Sequence, residues 1–288
     1  MRFSRELTYK ELLDRLNELQ KSYQGMTVSY IGQSVFEKGI PIVTLGDKTA
    51  QKSVLYVATH NATENLCTSV LLNFIEEYLC AYERYAQMYQ INLRYLYKMR
   101  KIYIVPMLNP DGVEYRLNGV SEDNPIRERL IAQNDGSEDF SMWSKNGRGI
   151  DLSRNYQVVK KMIEGVKNGG ECVNNEPETS ALMNFIRYNS GEVEGVISLC
   201  SSGEKICYRL NNAVPKRAEH LARLISRLTG YSLSETEGEG LERWFIKEFN
   251  KPAYTLKCGL GENPLPISQL IPIYSKLKEA LFTFPILF

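Results

Sequence analysis

The sequence predicts an α/β fold, a mixed sheet flanked by helices, from two observations. Short apolar runs rich in β-branched and aromatic residues recur along the chain, as is typical of buried strands. Segments with apolar residues at helical spacing stand between them, and this order is typical of a mixed sheet covered by helices. With 288 residues, of which 43% are hydrophobic, the chain is long enough to bury a large core.

The first predicted element is an amphipathic helix over the first 25 residues, because Leu12, Leu13, Leu16 and Leu19 recur at helical spacing. We expect residues 1–24 to belong to the same single domain as residues 25–288. The predicted strands are residues 28–31, 41–45, 53–58, 101–106, 195–200 and 253–258. The other predicted helices are residues 70–78, 178–188, 216–228 and 268–282. A turn is predicted at residues 109–112, and an exposed connection at residues 118–141.

Charge and patterning exclude several classes of protein. Lys and Arg total 35 against 34 Asp and Glu, so there is no electrostatic reason to expect a nucleic-acid partner. The N-terminal segment lacks the apolar stretch of a signal peptide, and no apolar run reaches the length of a membrane span. The six cysteines are scattered without a CxxC pair, which favours free thiols. We therefore expect a cytoplasmic protein without a membrane span.

Several motifs follow one another in a fixed order. They are residues 109–114 (NPDGVE), 143–155 (WSKNGRGIDLSRN), 176–179 (EPET), 198–201 (SLCS) and 243–246 (RWFI). From residue 25 onwards the sequence resembles the zinc carboxypeptidase family, and most of all its bacterial γ-D-glutamyl-L-diamino-acid peptidases. The resemblance implies a mixed, twisted sheet of about eight strands with helices on both faces. It also implies an active site at the carboxyl ends of the strands.

The family holds zinc with two histidines and one glutamate, and the resemblance assigns these positions here. Glu64 matches the ligand glutamate. An ungapped match places Asn61 at the first histidine, whereas one inserted residue would retain His60, and both alignments remain open. Cys200 stands at the second histidine, as a thiolate ligand or as a small buried residue at the end of a strand. We expect zinc binding to be weak or absent.

Lys257 occupies the position of the family's general base, a glutamate. An ammonium group with an ordinary pKa of about 10.4 repels a zinc cation and cannot take a proton from water. Because a general base contributes roughly 10²–10⁴ to the rate, this substitution predicts a non-functional catalytic position. Glu235 falls where the family has a flap tyrosine, and Tyr231 lies nearby.

Part of the substrate-binding side is retained. The resemblance places Arg148 at the arginine that polarises the scissile carbonyl and Arg154 at the arginine that clamps a carboxylate. Ser153 replaces the usual asparagine beside it. Both arginines could instead form structural ion pairs. Together with Lys257 they predict an electropositive cleft suited to a peptide or small molecule with a free carboxylate.

These residues lead to three hypotheses of function. The first is a catalytically inactive family member, a pseudopeptidase, that binds carboxylate-bearing peptides or cell-wall peptide fragments. The second is a divergent active metallocarboxypeptidase or γ-D-glutamyl-diamino-acid peptidase, with zinc on the degenerate ligand set and a base such as Glu262 or Glu235. The third is an interaction scaffold with a filled cleft, in which the tyrosine-rich segment 82–97 supplies a partner surface. We interpret His220, the remaining histidine, as surface or core filler.

Overall fold

The computed structural model describes residues 5–156, 176–209, 215, 217–235 and 240–288. The strands within these residues, in chain order, are Met26–Gln33 (β1), Gly39–Leu45 (β2), Lys52–Ala58 (β3), Gln87–Met88 (β4), Ile91–Asn92 (β5), Arg100–Val105 (β6), Val193–Ser201 (β7), Lys205–Arg209 (β8), Ser232–Glu235 (β9) and Ala253–Cys258 (β10). Eight of them form one mixed sheet in the order β1-β2-β6-β3-β7-β10-β8-β9, and β4 and β5 form a separate hairpin. The predicted mixed sheet of about eight strands is confirmed.

Helices lie on both faces of this sheet. The α-helices of the described residues are Tyr9–Ser22 (α1), Leu66–Glu83 (α2), Leu93–Met99 (α3), Pro110–Asn118 (α4), Arg127–Gln133 (α5), Pro177–Tyr188 (α6), Ala218–Thr229 (α7), Leu241–Phe249 (α8) and Leu270–Thr283 (α9). Short 3₁₀ turns occur at Ala62–Glu64, Leu152–Arg154, Ile267–Gln269 and Phe284–Leu287. Within the described ranges, no helix combines the length and the apolar character needed to cross a bilayer.

The strand β3 separates two hydrophobic cores. Tyr56 and Ala58 point into the core beneath α1, α2, α7 and α9, whereas Leu55 and Val57 point into the core beneath α6 and α8. This division follows from the alternation of side chains along a strand. Each fully buried aliphatic side chain contributes roughly 1.5–3 kcal/mol of burial free energy, so the two cores make the sheet a rigid frame.

The predicted N-terminal helix is confirmed as α1, and its leucines Leu12, Leu16 and Leu19 are buried. Thr8 caps the helix with Glu11 in a reciprocal capping box, which explains why the helix begins at Tyr9. The predicted turn at residues 109–112 forms the start of α4, where the Asn109 side chain accepts a hydrogen bond from the Gly112 N–H.

The predicted exposed connection at residues 118–141 is more ordered than the sequence indicates. It contains α5, and Leu130 and Phe140 are buried in a small cluster with Tyr115 and Trp143. Its many charged and Asn residues predict exposure, but the aromatic cluster provides a local apolar surface on which the segment packs.

The central strands position the candidate site. The strands β3, β7 and β10 run parallel to one another, so their carboxyl ends meet at one edge of the sheet. Ala58 pairs with Leu199, and Lys257 pairs with Cys200. The segment that follows β3, residues 59–65, therefore lies beside the ends of β7 and β10. This is the edge at which ligands bind in open α/β sheets.

Candidate functional site

A cavity of about 270 Å³ opens at this edge of the sheet. Its lining consists of His60, Glu64, Ser153, Arg154, Ser198, Cys200, Ser201, Cys207, Gly240, Leu241, Glu242, Thr255 and Lys257. The strands β7 and β10 contribute two register pairs to the lining, Thr255 with Ser198 and Lys257 with Cys200, and Ser201 adds the last residue of β7. Side chains that are paired in this way point to the same face of the sheet.

The segment after β3 places His60 and Asn61, the two candidates for the first histidine ligand, in different surroundings. Thr59 adopts a left-handed conformation, with φ of 59°, and turns the chain at the end of the strand. The Asn61 side-chain oxygen then accepts from the Thr63 N–H at 3.1 Å and from the Thr63 hydroxyl at 2.8 Å. Asn61 thus caps the 3₁₀ turn Ala62–Glu64 and is not part of the cavity lining.

His60 lines the cavity in place of Asn61, but its ring already has a partner. Its Nε2 lies 2.7 Å from the hydroxyl of the buried Tyr156. Burial lowers the pKa of His60 to about 4, so the imidazole stays neutral at physiological pH. The structure therefore brings to the cavity the histidine of the gapped alignment and uses it in a hydrogen bond with Tyr156.

Glu64 lies in the cavity wall with 8% of its surface exposed. Burial raises the pKa of its carboxyl to about 8, although the backbone N–H groups of Ser201 and Asn61 and the charge of Lys257 oppose the shift. Burial likewise raises the pKa of the Cys200 thiol, with Glu64 adding to the effect and Lys257 opposing it. At neutral pH both groups favour their protonated forms in this environment.

Glu242 is a second buried carboxyl in the cavity, and the sequence analysis missed it. It lies in the first turn of α8, whose residues Trp244 and Phe245 pack into the core on the same helix. Burial raises the pKa of Glu242, and a hydrogen bond from the Thr255 hydroxyl and the charge of Lys257 act against this rise. The available signal was an acidic residue at the start of an otherwise apolar helical run.

The charge of Lys257 acts on both Glu64 and Glu242. Arg154 adds a cation at the cavity mouth, where its side chain is 81% exposed. The lining therefore contains buried carboxyls as well as the cations that the sequence predicted. Sequence reasoning identified Glu64 but missed Glu242, because Glu242 enters from a helix outside the recognised ligand motifs.

The two predicted substrate arginines lie in different positions. Ser153 and Arg154 reach the cavity, and both contact Asp151, which accepts from the Ser153 hydroxyl at 2.6 Å and lies 3.6 Å from the Arg154 Nε. Arg148 is half exposed, lies 3.9 Å from Glu176 and does not line the cavity. Both arginines thus take part in ion pairs, one beside the cavity and one farther from it.

Other predicted site residues lie away from the cavity. Glu235 is exposed at the end of β9, next to residues 236–239, which the structure does not describe. Tyr231 is buried in the core, and Glu262 and His220 are exposed. The structure therefore does not bring Glu235 or Glu262 to the position of a base.

The donor set does not fit a zinc ion of the family type. Across the described ranges, no group of three His, Cys, Asp or Glu side chains is arranged so that it could hold a metal ion. Glu64 and Cys200 share the cavity, but Asn61 points to its own turn and His60 to Tyr156. The ammonium group of Lys257 lies where a metal cation would be repelled.

Comparison with known proteins identifies similar sequences over nearly the whole chain. The family model described as "Zinc carboxypeptidase" matches residues 12–280. The chain is 30% identical over 287 residues to gamma-D-glutamyl-L-diamino acid endopeptidase 1 of Lysinibacillus sphaericus, a match that covers 96% of this chain and 70% of the relative.

Solved structures share the fold. Bovine thrombin-activatable fibrinolysis inhibitor, in complex with tick carboxypeptidase inhibitor, superposes with a TM-score of 0.70 at 19% identity and covers 96% of this chain and 95% of that one. Murein-tripeptide amidase MpaA of Escherichia coli O157 superposes with a TM-score of 0.53 at 17% identity, over 88% of this chain and 90% of that one. Since the family model extends over nearly the entire chain, the protein belongs to the zinc carboxypeptidase family.

Proposed function

We propose that this family member binds peptides with a free carboxylate, including cell-wall peptide fragments, without hydrolysing them. The observation that carries the proposal is Lys257 in the cavity lining, in register with Cys200. An ammonium group has no lone pair with which to activate water, and it opposes the binding of a metal that would activate water instead. Zinc binding is proposed to be weak or absent for the same reason.

The residues at the cavity mouth support a carboxylate-bearing ligand. Arg154 is exposed there with Ser153 beside it, and a guanidinium suits the planar geometry of a carboxylate. The cavity of about 270 Å³ has room for one amino-acid side chain or one peptide terminus. This volume disfavours the hypothesis of an interaction scaffold with a filled cleft. The names of two similar proteins, a γ-D-glutamyl-L-diamino acid endopeptidase and a murein-tripeptide amidase, support peptides of this chemical class.

A divergent hydrolase is the second candidate, and Glu242 is the observation that favours it. Its carboxyl lies in the same cavity as Glu64 and carries a raised pKa, as a general base or acid requires. Glu242 replaces Glu262 and Glu235 as the candidate base, because those residues do not line the cavity.

Metal content and peptide turnover test the proposal together. The protein is equilibrated with excess zinc, desalted and analysed for metal, and γ-D-glutamyl-L-lysine is then incubated with it and examined by mass spectrometry. We expect well below one zinc per chain and no hydrolysis. Near-stoichiometric zinc that is lost in Glu64→Ala, together with cleavage of the dipeptide, would support the divergent hydrolase.

Binding of the same dipeptide is measured by titration calorimetry. We expect Arg154→Ala to weaken binding roughly tenfold, the size of one charge-assisted hydrogen-bonded contact. Arg223→Ala is the matched control, because Arg223 is an exposed, ion-paired arginine on α7. Equal effects of the two substitutions would contradict a carboxylate site at Arg154.

A further inference from the structure

Asn146 lies at the centre of the loop that carries Arg148. This asparagine is fully buried, and its side-chain oxygen accepts from the backbone N–H groups of Arg148 and Ile150, both at 3.0 Å. The Asn146 N–H also donates to the Ile150 carbonyl at 2.9 Å. The Asn146 side chain therefore holds the backbone at Arg148 and at Ile150.

The amide nitrogen of Asn146 is shared by two carboxyls. It donates to Glu176 Oε2 at 2.6 Å and faces Glu178 Oε2 at 3.3 Å. The orientation of the amide is determined by these neighbours, because a flipped amide would place its oxygen against two carboxyls. Glu176 in turn lies 3.9 Å from the Arg148 guanidinium. Asn146, Arg148 and the two glutamates thus form one connected group.

Glu178 is the fully buried member of this group. Its other oxygen accepts from the Val35 N–H at 3.4 Å. Burial raises the pKa of the Glu178 carboxyl to about 7, and the nearby Asp111 adds to this rise. Asp111 and Tyr156 interact electrostatically with Glu178, and Glu176 shares the Asn146 amide with it. Lys38 and Arg148 are one step farther away, paired with Asp111 and Glu176 respectively.

Asp111 makes its own contacts with two residues of a nearby turn, Phe36 and Lys38. It accepts from Lys38 Nζ at 2.7 Å and from the Phe36 N–H at 3.0 Å. These two contacts hold the Asp111 carboxylate in place beside Glu178. Ionisation of Glu178 is then the event that changes the charge of this cluster.

We propose that Asn146 is a positioning residue for Arg148, and that its contact with Glu178 couples the position of Arg148 to the charge on Glu178. The consequence for ligand affinity rests on the proposed carboxylate binding, whereas the coupling itself does not. When Glu178 ionises, its carboxylate attracts the Asn146 amide more strongly, and the Asn146 oxygen carries the Arg148 backbone N–H with it, which moves the Arg148 guanidinium towards the two glutamates. Arg148, which lies outside the cavity, is then less available to a second carboxylate of a ligand that is held at Arg154.

The direct test observes Arg148 without a ligand. Protein with ¹³C at the arginine Cζ is titrated from pH 5.5 to 8.5, and the Arg148 resonance is assigned by its loss in Arg148→Lys. We expect a titration with a midpoint near pH 7 in the wild type. Glu178→Gln keeps the size of the side chain and removes its proton equilibrium, so the titration should disappear.

Two further variants complete this test. Asn146→Ala removes the contact between Asn146 and Glu178 but leaves the Glu178 carboxyl present. We expect this variant to show a strongly reduced titration of the Arg148 resonance. If Glu178→Gln does not fold, Asn146→Ala tests the coupling by itself. Glu138→Gln, an exposed carboxyl paired with Arg127 in the preceding segment, is the control and should leave the titration unchanged. An Arg148 resonance that does not titrate, or one that titrates equally in Glu178→Gln or Asn146→Ala, would overturn the proposal.

Ligand binding separates this inference from the proposed function. Affinity for γ-D-glutamyl-L-lysine should fall roughly threefold as Glu178 ionises, the size expected of a half-exposed ion pair. That part of the pH dependence should be absent in Glu178→Gln. If the wild type binds no dipeptide at any pH while Arg148 still titrates, the proposed ligand is wrong and the coupling stands. If the dipeptide binds but the Arg148 resonance does not titrate, the proposed ligand is supported and the coupling between Glu178 and Arg148 is wrong.

Discussion

Lys257 on β10 lies directly beside Cys200 on β7 in parallel register, and both side chains enter the same cavity. The resemblance to the family assigns these two positions to a general base and a metal ligand. Here they are an ammonium group and a thiol whose pKa is raised by burial. The two predicted substitutions are adjacent in space, which supports the proposal that the chemistry of the site has changed at this point of the sheet edge.

Lys257 should stabilise the folded protein through the buried carboxyls around it. We expect Lys257→Met to lower the free energy of unfolding by roughly 1–3 kcal/mol, because Glu64 and Glu242 lose a nearby cation. Urea denaturation at pH 9 measures this, because Glu64, with a pKa of about 8, is then largely ionised. Lys205→Met is the matched control, since Lys205 is the exposed register neighbour of Lys257 on β8 and should change stability little. An increase in stability on Lys257→Met would show that the ammonium group does not compensate the carboxyls.

Glu64 should make stability depend on pH. Its pKa is about 8 in the folded protein against an ordinary value of 4.5, so between these values the folded state holds a proton that the unfolded state has lost. Stability should therefore fall as the pH rises from about 4.5 to about 8 and stay level above that. Glu64→Gln should be more stable than the wild type at pH 8, by roughly 4 kcal/mol at most, because each unit of pKa shift corresponds to about 1.4 kcal/mol, and the difference should shrink at pH 5. Urea denaturation at several pH values checks this, and a Glu64→Gln variant that is less stable than the wild type at pH 8 would show that Glu64 does not keep a raised pKa in the folded protein.

The hydroxyl of Tyr156 should be needed to satisfy His60. Tyr156→Phe removes the hydrogen-bond partner at His60 Nε2 and leaves a buried imidazole nitrogen unpaired. We expect a loss of about 1–2 kcal/mol in the free energy of unfolding. Tyr188→Phe serves as the control, because Tyr188 is 91% exposed. If both substitutions have the same small effect, the contact does not hold His60 in place.

Reversing the two predicted substitutions that line the cavity should create a metal site that single changes do not. The combination of Cys200→His and Lys257→Glu supplies a second imidazole beside His60 and Glu64, the donor set that zinc prefers, and removes the repelling ammonium. Elemental analysis should find zinc near one per chain in the double variant and much less in each single variant. Equal zinc in the wild type and the double variant would contradict a degenerate site.

Much of the fold could be predicted from residue patterns. The strands β3, β7 and β10 follow from apolar runs with clear boundaries, and α1 follows from the spacing of Leu12, Leu16 and Leu19. The helix α8 was not predicted as an element, and α2 begins earlier than the pattern indicated. Helix ends and short helices depend on capping and on neighbours, which the periodicity of apolar residues does not report.

The sequence by itself predicted the substitution of the catalytic positions, because motif order points to Lys257 and Cys200 without coordinates, and it determined the strands whose alternation directs both side chains to one face. Only the tertiary structure decided which of His60 and Asn61 faces the cavity, because the left-handed turn at Thr59 sets the direction of the side chains that follow β3. It also brought Glu242 in from α8 and placed Arg148 against Glu176, outside the cavity. These contacts join residues far apart in the chain, and local patterns carry no information on how such segments meet.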